Sequence, residues 1–382
     1  MPVLFLLLSF ATVSIALPGR WPAAVLECGS FVLLAVVAAR NWWNARPWPV
    51  PGIAVALVLA CSVGLAQLLA GSSIAPWETA NATLRWASWA ALVLAAAQLL
   101  DGIHELRRFL QAMVVLASLL AISCLLQPVL ELPGYDRFAG PFQNRNTYAG
   151  FIELALPAAA WLAHSARRLA WLWWAATALM AASVAVTGSR AGSLLVCTEF
   201  VGLLIATRQP AICAGAFLLA AVWVTAAGID TLVTRLRFTD PFDGRREMLD
   251  SALSMAYEKP WLGFGLGSFQ EAYPGFATVD FGKIVNHVHN DWVEWALEGG
   301  LFLPLALAAA LAHSAGSMRR HWWAAGTLVV AVHALVDYPF ARSGLAAWVW
   351  VLAAVTRPSA SRARAPRESI LRSGRSSATA TR

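Results

Sequence analysis

Long apolar segments separated by short polar connections run along most of this chain. A membrane-crossing helix needs about 20 predominantly apolar residues. Candidate segments lie at 3–17, 22–39, 51–70, 84–100, 109–130, 148–163, 169–187, 192–207, 210–228, 291–312, 324–338 and 343–356. The pattern predicts an all-α polytopic membrane protein with about twelve transmembrane helices. Several segments are short enough for tilted or re-entrant helices. One interval breaks the rhythm: 229–290, about 60 residues, is too long for a plain connection. There, Thr239-Asp-Pro-Phe-Asp-Gly-Arg-Arg246 has turn chemistry, a polar helix is predicted from Arg245 to Glu258, and the glycine-rich run Gly263-Phe-Gly-Leu-Gly267 follows. The chain thus divides into N-terminal helices (1–130), central helices (131–228), a large loop carrying short helices (229–290), C-terminal helices (291–356) and a tail (357–382).

Basic residues orient these spans. Arg40 and Arg46, Arg107 and Arg108, Arg167 and Arg168, Arg208, and Arg319 and Arg320 fall on alternate connections. With the tail they share one face, so that face and the N-terminus are expected to be cytoplasmic. The opposite face receives 71–83, 131–147, 188–191, 229–290 and 339–342. Trp77, Trp86, Tyr135, Tyr148, Trp261 and Trp292 lie near segment ends, where such rings anchor at the interface.

Composition supports this picture. The chain is 59% hydrophobic and 13% charged, with mean hydropathy +0.62, against roughly 25% charged residues in soluble domains. Lipid must therefore cover much of its surface. The formal net charge of +7 comes mostly from the tail, where Arg357, Arg362, Arg364, Arg367, Arg372, Arg375 and Arg382 face a single Glu368. A basic segment beyond the last span is read as a contact with anionic membrane lipid rather than with nucleic acid. The cysteines, Cys28, Cys61, Cys124, Cys197 and Cys213, lie inside apolar segments without a CxxC pair, which points to packing rather than to zinc or disulfides. Pro2 to Leu17 lacks a basic leader and a second span follows it at once, so it reads as a retained helix.

The unusual polar residues gather on the non-cytoplasmic face. Arg137 and Arg145 precede a span, Arg190 closes Thr187-Gly-Ser-Arg190, Arg245 and Arg246 open the loop helix, and His287, His289 and Asn290 end the loop. Charge bias tends to exclude arginine from short exterior connections. A guanidinium offers a planar fork of donors suited to phosphate oxygens. Each arginine alone could instead snorkel to headgroups or cap a helix. As a set beside a histidine pair, they suit a ligand with its diphosphate at headgroup level and its lipid tail in the bilayer. Histidine can act as a general base, with an ordinary pKa of about 6.5. His287 and His289 lack a third ligand at metal-site spacing, so no metal is expected. Asp291, Glu294 and Glu298 recur on one face of the next segment, and are expected to face the bundle interior, pairing with arginines or orienting a histidine.

At these residues the chain resembles the O-antigen ligase and polymerase superfamily, integral-membrane glycosyltransferases that use undecaprenyl-diphosphate-linked glycans. The matching stretches are Arg137-Phe-Ala-Gly-Pro-Phe-Gln-Asn-Arg-Asn-Thr-Tyr-Ala-Gly150, Thr187-Gly-Ser-Arg-Ala-Gly192, Gly244-Arg-Arg-Glu-Met-Leu249, Pro260-Trp-Leu-Gly-Phe-Gly-Leu-Gly-Ser-Phe269 with Tyr273-Pro274, His287-Val-His-Asn-Asp291 with Glu298-Gly-Gly-Leu301, and Val336-Asp-Tyr-Pro-Phe340. They cover roughly residues 135–345 in family order; the first 130 residues match in hydropathy alone.

The resemblance implies that Arg190 and Arg245 bind the donor diphosphate and that His289 activates an acceptor hydroxyl. Arg137, Arg145, Asn146, Arg246, His287 and Asn290 are the candidate substrate-binding residues. It further implies metal-independent transfer with inversion, no cofactor, a multi-pass protein of the bacterial inner membrane, and a periplasmic loop and active face. The acceptor it implies is lipid A core or another glycan. A polymerase would use nearly the same chemistry. A transporter would instead place ionisable groups at mid-membrane on broken, repeated helices, whereas here the polar features concentrate on one face.

Overall fold

A computed structural model describes residues 1–17, 19–127, 139–140, 142, 144–166, 168–227, 244–316 and 321–356. The expectations for Arg137, Arg167, Arg319 and Arg320, and for the tail from 357, lie outside these residues. Among the described residues the chain is helical, with no strand. Its helices of eight residues or more are α1 (Pro2–Val13), α2 (Trp21–Trp43), α3 (Gly52–Leu69), α4 (Pro76–Leu99), α5 (Ile103–Leu126), α6 (Arg145–Ser165), α7 (Ala170–Val186), α8 (Arg190–Thr207), α9 (Pro210–Ala227), α10 (Arg245–Glu258), α11 (Asp291–Gly299), α12 (Phe302–Ala315), α13 (Gly326–His333) and α14 (Ser343–Ala354).

Helices α2, α3, α5 and α8 are each long and apolar enough to cross a membrane. Shorter apolar helices, among them α1, α7, α12 and α14, add to them. Helices α4 and α6 are as long but carry more polar residues. A helix that is apolar all round belongs inside a bundle, as α14 does, and α6 is buried beside it despite its polar residues. Helix α6 is buried from Thr147 to Ala163 except at Trp161, and α14 is buried from Gly344 to Ala354. Helices α5, α7, α8 and α13 pack on α6, while α1, α3 and α4 pack on α14. Gly192 lets α8 approach α6 closely, since a Cβ there would sit 2.6 Å from the Cβ of Ala149. Exposed apolar side chains such as Val32, Val36, Leu194, Val201, Ile205, Leu218 and Val222 point away from the bundle, toward the lipid expected around it.

Two predicted spans differ from the observed helices. The segment 291–312 is split into α11 and α12 at Gly300, whose φ of +80° suits glycine. A side chain there would collide with the Trp261 carbonyl, and the Leu301 N–H donates to the Pro260 carbonyl at 2.8 Å. The loop thus wedges the chain open. The segment 324–338 forms only the eight residues of α13; the chain from Ala334 to Tyr338 turns to reach the site described below.

From Gly244 onward the long loop is itself folded. Met248, Ala252, Met255, Phe264, Phe269, Tyr273, Val288 and Leu297 form a second hydrophobic core separate from that of the bundle. Gln67 on α3 ties this cap down. Its amide donates to the carbonyls of Leu262 and, at 2.7 Å, Glu298, and its oxygen accepts the Leu266 N–H at 3.0 Å. Replacing Gln67 with Leu strands these buried groups, each worth about 1–3 kcal/mol when unpaired. The Gln67→Leu protein is expected to melt several degrees below wild type in detergent and to be nicked faster by protease between Lys259 and Ser268. An unchanged melting curve and cleavage rate would refute the tether.

Candidate active site

The cap returns to the bundle through His287-Val288-His289-Asn290. Asn290 caps α11, its side-chain oxygen accepting the Val293 N–H at 3.2 Å. His289 just before it has a φ of +61°. Such a conformation costs of order 1–3 kcal/mol in a non-glycine residue, so the surroundings must hold it.

The holding group is Asp337, at the turn after α13. Its Oδ1 lies 3.2 Å from His289 Nδ1 and accepts the Tyr338 N–H at 2.9 Å; its Oδ2 accepts from the Asn146 amide. Burial works against ionisation of Asp337, but the hydrogen bond and electrostatic attraction from His289, with attraction from Arg245 and His333, outweigh it, bringing the carboxyl down to about 2. An ionised carboxylate only accepts hydrogen bonds. His289 Nδ1 must therefore carry the proton, and in the neutral ring the free lone pair sits on Nε2. That tautomer suits a base working through Nε2.

The same contacts gather the sequence candidates. Asn146 Oδ1 accepts from Ser189 Oγ at 2.8 Å, joining the start of α6 to the start of α8. Ser189 caps α8 by accepting the Gly192 N–H, and Arg190 is the next residue. Arg145, half-buried, is the first residue of α6, where Asn144 supplies the cap. Arg245, first in α10, donates from Nη1 to the Val336 carbonyl at 2.8 Å, directly beside Asp337. Arg246 is exposed one position along. The N-termini of α6, α8, α10 and α11 are therefore linked through Asn146, Ser189, Arg245, His289 and Asp337. Helix N-termini carry partial positive charge and unpaired N–H groups, so with the arginines they favour an anion.

His287 is held separately. Its Nδ1 lies 2.9 Å from Glu294 Oε1, and Glu294 Oε2 accepts the Val288 N–H at 2.9 Å. Tyr338 contacts both histidines: His287 stacks on its ring at 4.4 Å and His289 meets it edge-on at 4.8 Å. Asn144 donates to the Tyr338 hydroxyl at 3.3 Å, and the Arg342 guanidinium lies 5.3 Å from the ring centre.

Asp291, Glu294 and Glu298 are buried, as their helical spacing suggested. Glu294 orients a histidine, Asp291 accepts the Phe340 N–H at 2.9 Å, and Glu298 accepts the Phe269 N–H at 3.1 Å. Sequence reasoning missed Asp337, Tyr338 and Ser189 as site residues. The available signal was an ionisable residue at the end of an apolar segment, in Val336-Asp-Tyr-Pro-Phe340. Among the described residues no group of three or more His, Cys, Asp or Glu side chains is arranged to hold a metal ion.

The depressed Asp337 carboxyl has a signed consequence. Its folded value lies below the ordinary value of about 3.9, so its contribution, on the order of 2 kcal/mol, is full above about pH 4 and is lost as pH falls through about 2. Wild-type thermal stability in detergent should fall more steeply than that of Asp337→Asn between pH 4 and pH 2. Parallel curves would show that Asp337 is not held ionised by its neighbours.

Comparison with known proteins bears on this geometry. A search of curated proteins returns no match. Residues 175–308 match the family model described as O-Antigen ligase, a stretch running from α7 through Arg190, the cap and both site histidines into α12. That match supports membership of this chain in the O-antigen ligase/polymerase superfamily.

Proposed function

We propose that this protein is a metal-independent, inverting glycosyltransferase of the inner membrane, moving a polysaccharide from an undecaprenyl-diphosphate carrier to a glycan hydroxyl, with lipid A core as the acceptor. The observation that carries the reading is the His289–Asp337 pair joined in one hydrogen-bonded network to Arg245 and to the Ser189 cap beside Arg190. In this reading the network faces the periplasm, with the lipid tail of the donor leaving sideways into the bilayer.

The chemistry follows from the positions. His289 Nε2 takes the proton from the acceptor hydroxyl as its oxygen bonds to the anomeric carbon of the donor. The bond from that carbon to the phosphate oxygen breaks, and undecaprenyl diphosphate departs with the electron pair. Arg190, Arg245 and the linked helix N-termini stabilise the charge that grows on the leaving group, with Arg145 and Arg246 as supporting cations. Preorganised donors contribute on the order of 3 kcal/mol each, and a positioned base about 10²–10⁴-fold. Asp337 holds the tautomer and stabilises the imidazolium that forms. His287, held by Glu294, supports the acceptor side.

Two measurements test this with the full-length protein in nanodiscs, donor glycolipid and core oligosaccharide. His289→Ala is expected to lose transfer by at least 10³-fold while still binding undecaprenyl diphosphate. Arg190→Ala and Arg245→Ala should lose about 10²–10³-fold and bind the carrier more weakly. Full activity of His289→Ala would remove the base, and with it the mechanism. A deletion strain separates ligase from polymerase: long lipid-linked polymer accumulates when a ligase is lost, and single repeats on the acceptor when a polymerase is lost.

A further inference from the structure

A second polar space lies on the other side of His287. It is a cavity of about 360 Å³, within the range of roughly 300–1,000 Å³ common for small-molecule sites. Arg85 and Glu78 on α4, Glu294 and Glu298 on α11, and the rings of Trp86 and Trp295 line it. Asn286, His287, Gln270 and Glu271 come from the cap. None of Arg190, Arg245 and His289 lines this space.

Arg85 is the feature that local structure leaves unexplained. Its Nε is shielded from solvent and has no hydrogen-bond partner, and among the described residues the guanidinium makes no ion pair. Burying such a group unpaired is costly. Two of the lining carboxylates on α11 are used elsewhere: Glu294 holds His287 and the Val288 N–H, and Glu298 holds the Phe269 N–H. An arginine fork with open donors, carboxylates with remaining lone pairs and two indole faces make a fit for a hydroxyl-rich ring, whose hydroxyls both donate and accept and whose C–H faces lie against aromatics. Glu78, Glu271, Glu294 and Glu298 around one arginine would repel a diphosphate, so the carrier head is the wrong occupant.

We infer that this cavity is the acceptor-sugar subsite, binding a pyranose of the accepting glycan through Arg85 and Glu78 and presenting its hydroxyl past His287 toward His289. The assignment rests on the glycosyl-transfer reading above and names its second substrate site. Tyr338 links the two places: His287, which lines the cavity, stacks on its ring, and His289 meets that ring edge-on. A core saccharide and the end of a growing glycan share the chemistry that Arg85 and Glu78 would read.

The test uses full-length protein in nanodiscs and three probes: deacylated core oligosaccharide, a lipid-free repeat-unit oligosaccharide, and undecaprenyl diphosphate. Saturation-transfer NMR titrations follow the saccharides, and a direct binding titration follows the carrier. Arg85→Met and Glu78→Gln are each expected to weaken saccharide binding at least tenfold and leave carrier binding unchanged. Arg85→Lys should recover part of the loss, and Arg190→Ala should show the reverse pattern. Whichever saccharide binds identifies the source of the sugar. Unaltered saccharide affinity in both variants, or binding of neither saccharide to wild type, would overturn the subsite. An equal loss of carrier affinity in the Arg85 and Glu78 variants would assign the cavity to the donor and overturn it as well. The parent reading fails separately, if wild type binds saccharide but neither binds the carrier nor transfers. Glu78→Gln keeps the test intact if Arg85→Met does not fold.

Discussion

One buried carboxylate organises the candidate site. Asp337 takes hydrogen bonds from His289, Tyr338 and Asn146, three residues from three separate parts of the chain. Around it stand Arg245 and the N-termini of α6, α8, α10 and α11. Each N-terminus acts as roughly half a positive charge, so one anion is surrounded by a larger positive field. This keeps Asp337 ionised, fixes the His289 tautomer, and leaves net positive potential unspent. Without Asp337, the left-handed His289 backbone and the Asn146 link between α6 and α8 would both lose their common partner.

The bundle makes this arrangement possible by failing to be regular. Helix α11 stops at Gly300 because the cap needs the space, and the chain after α13 turns at Ala334 instead of continuing. In a membrane, irregular backbone is tolerated only where protein or water satisfies its polar groups. Here Gln67, the carboxylates of α11 and the backbone around Pro260 do so. The cap adds a core of its own, so it sits as a folded lid on the bundle. Such a cover limits water near an activated sugar, which a transferase needs if hydrolysis is not to win.

The sequence made the helices legible because burial in lipid or in a bundle leaves long apolar runs. The start of α10 was also readable from its polar pattern, and the buried carboxylates from their spacing on one helical face. The candidate arginines stood out because they opposed the charge bias expected of the exterior face, and the histidines because they formed a pair beside them. What stayed hidden was partnership. Asp337 lies 48 residues from His289 and 191 from Asn146, and no local pattern encodes contacts at that range. Ser189 looked like part of a short connection, although its hydroxyl joins two helices. The break at Gly300 was invisible for a similar reason: it depends on Trp261 and Pro260 packing against it from the cap. Arg85 escaped notice because it sits within an otherwise ordinary segment end.

The two histidines are best understood through their different carboxylates. Identical spacing from the same strand of backbone would let either ring act, yet each is committed by its Nδ1 partner to a different neighbour. Glu294 belongs to α11 and faces the polar cavity with Arg85, whereas Asp337 belongs to the turn that Arg245 touches. His287 is therefore coupled to the side rich in carboxylates, and His289 to the side rich in cations. A reaction that takes a hydroxyl from one side and releases a diphosphate on the other would use that asymmetry, and Tyr338 touches both rings, His287 stacked on it and His289 edge-on.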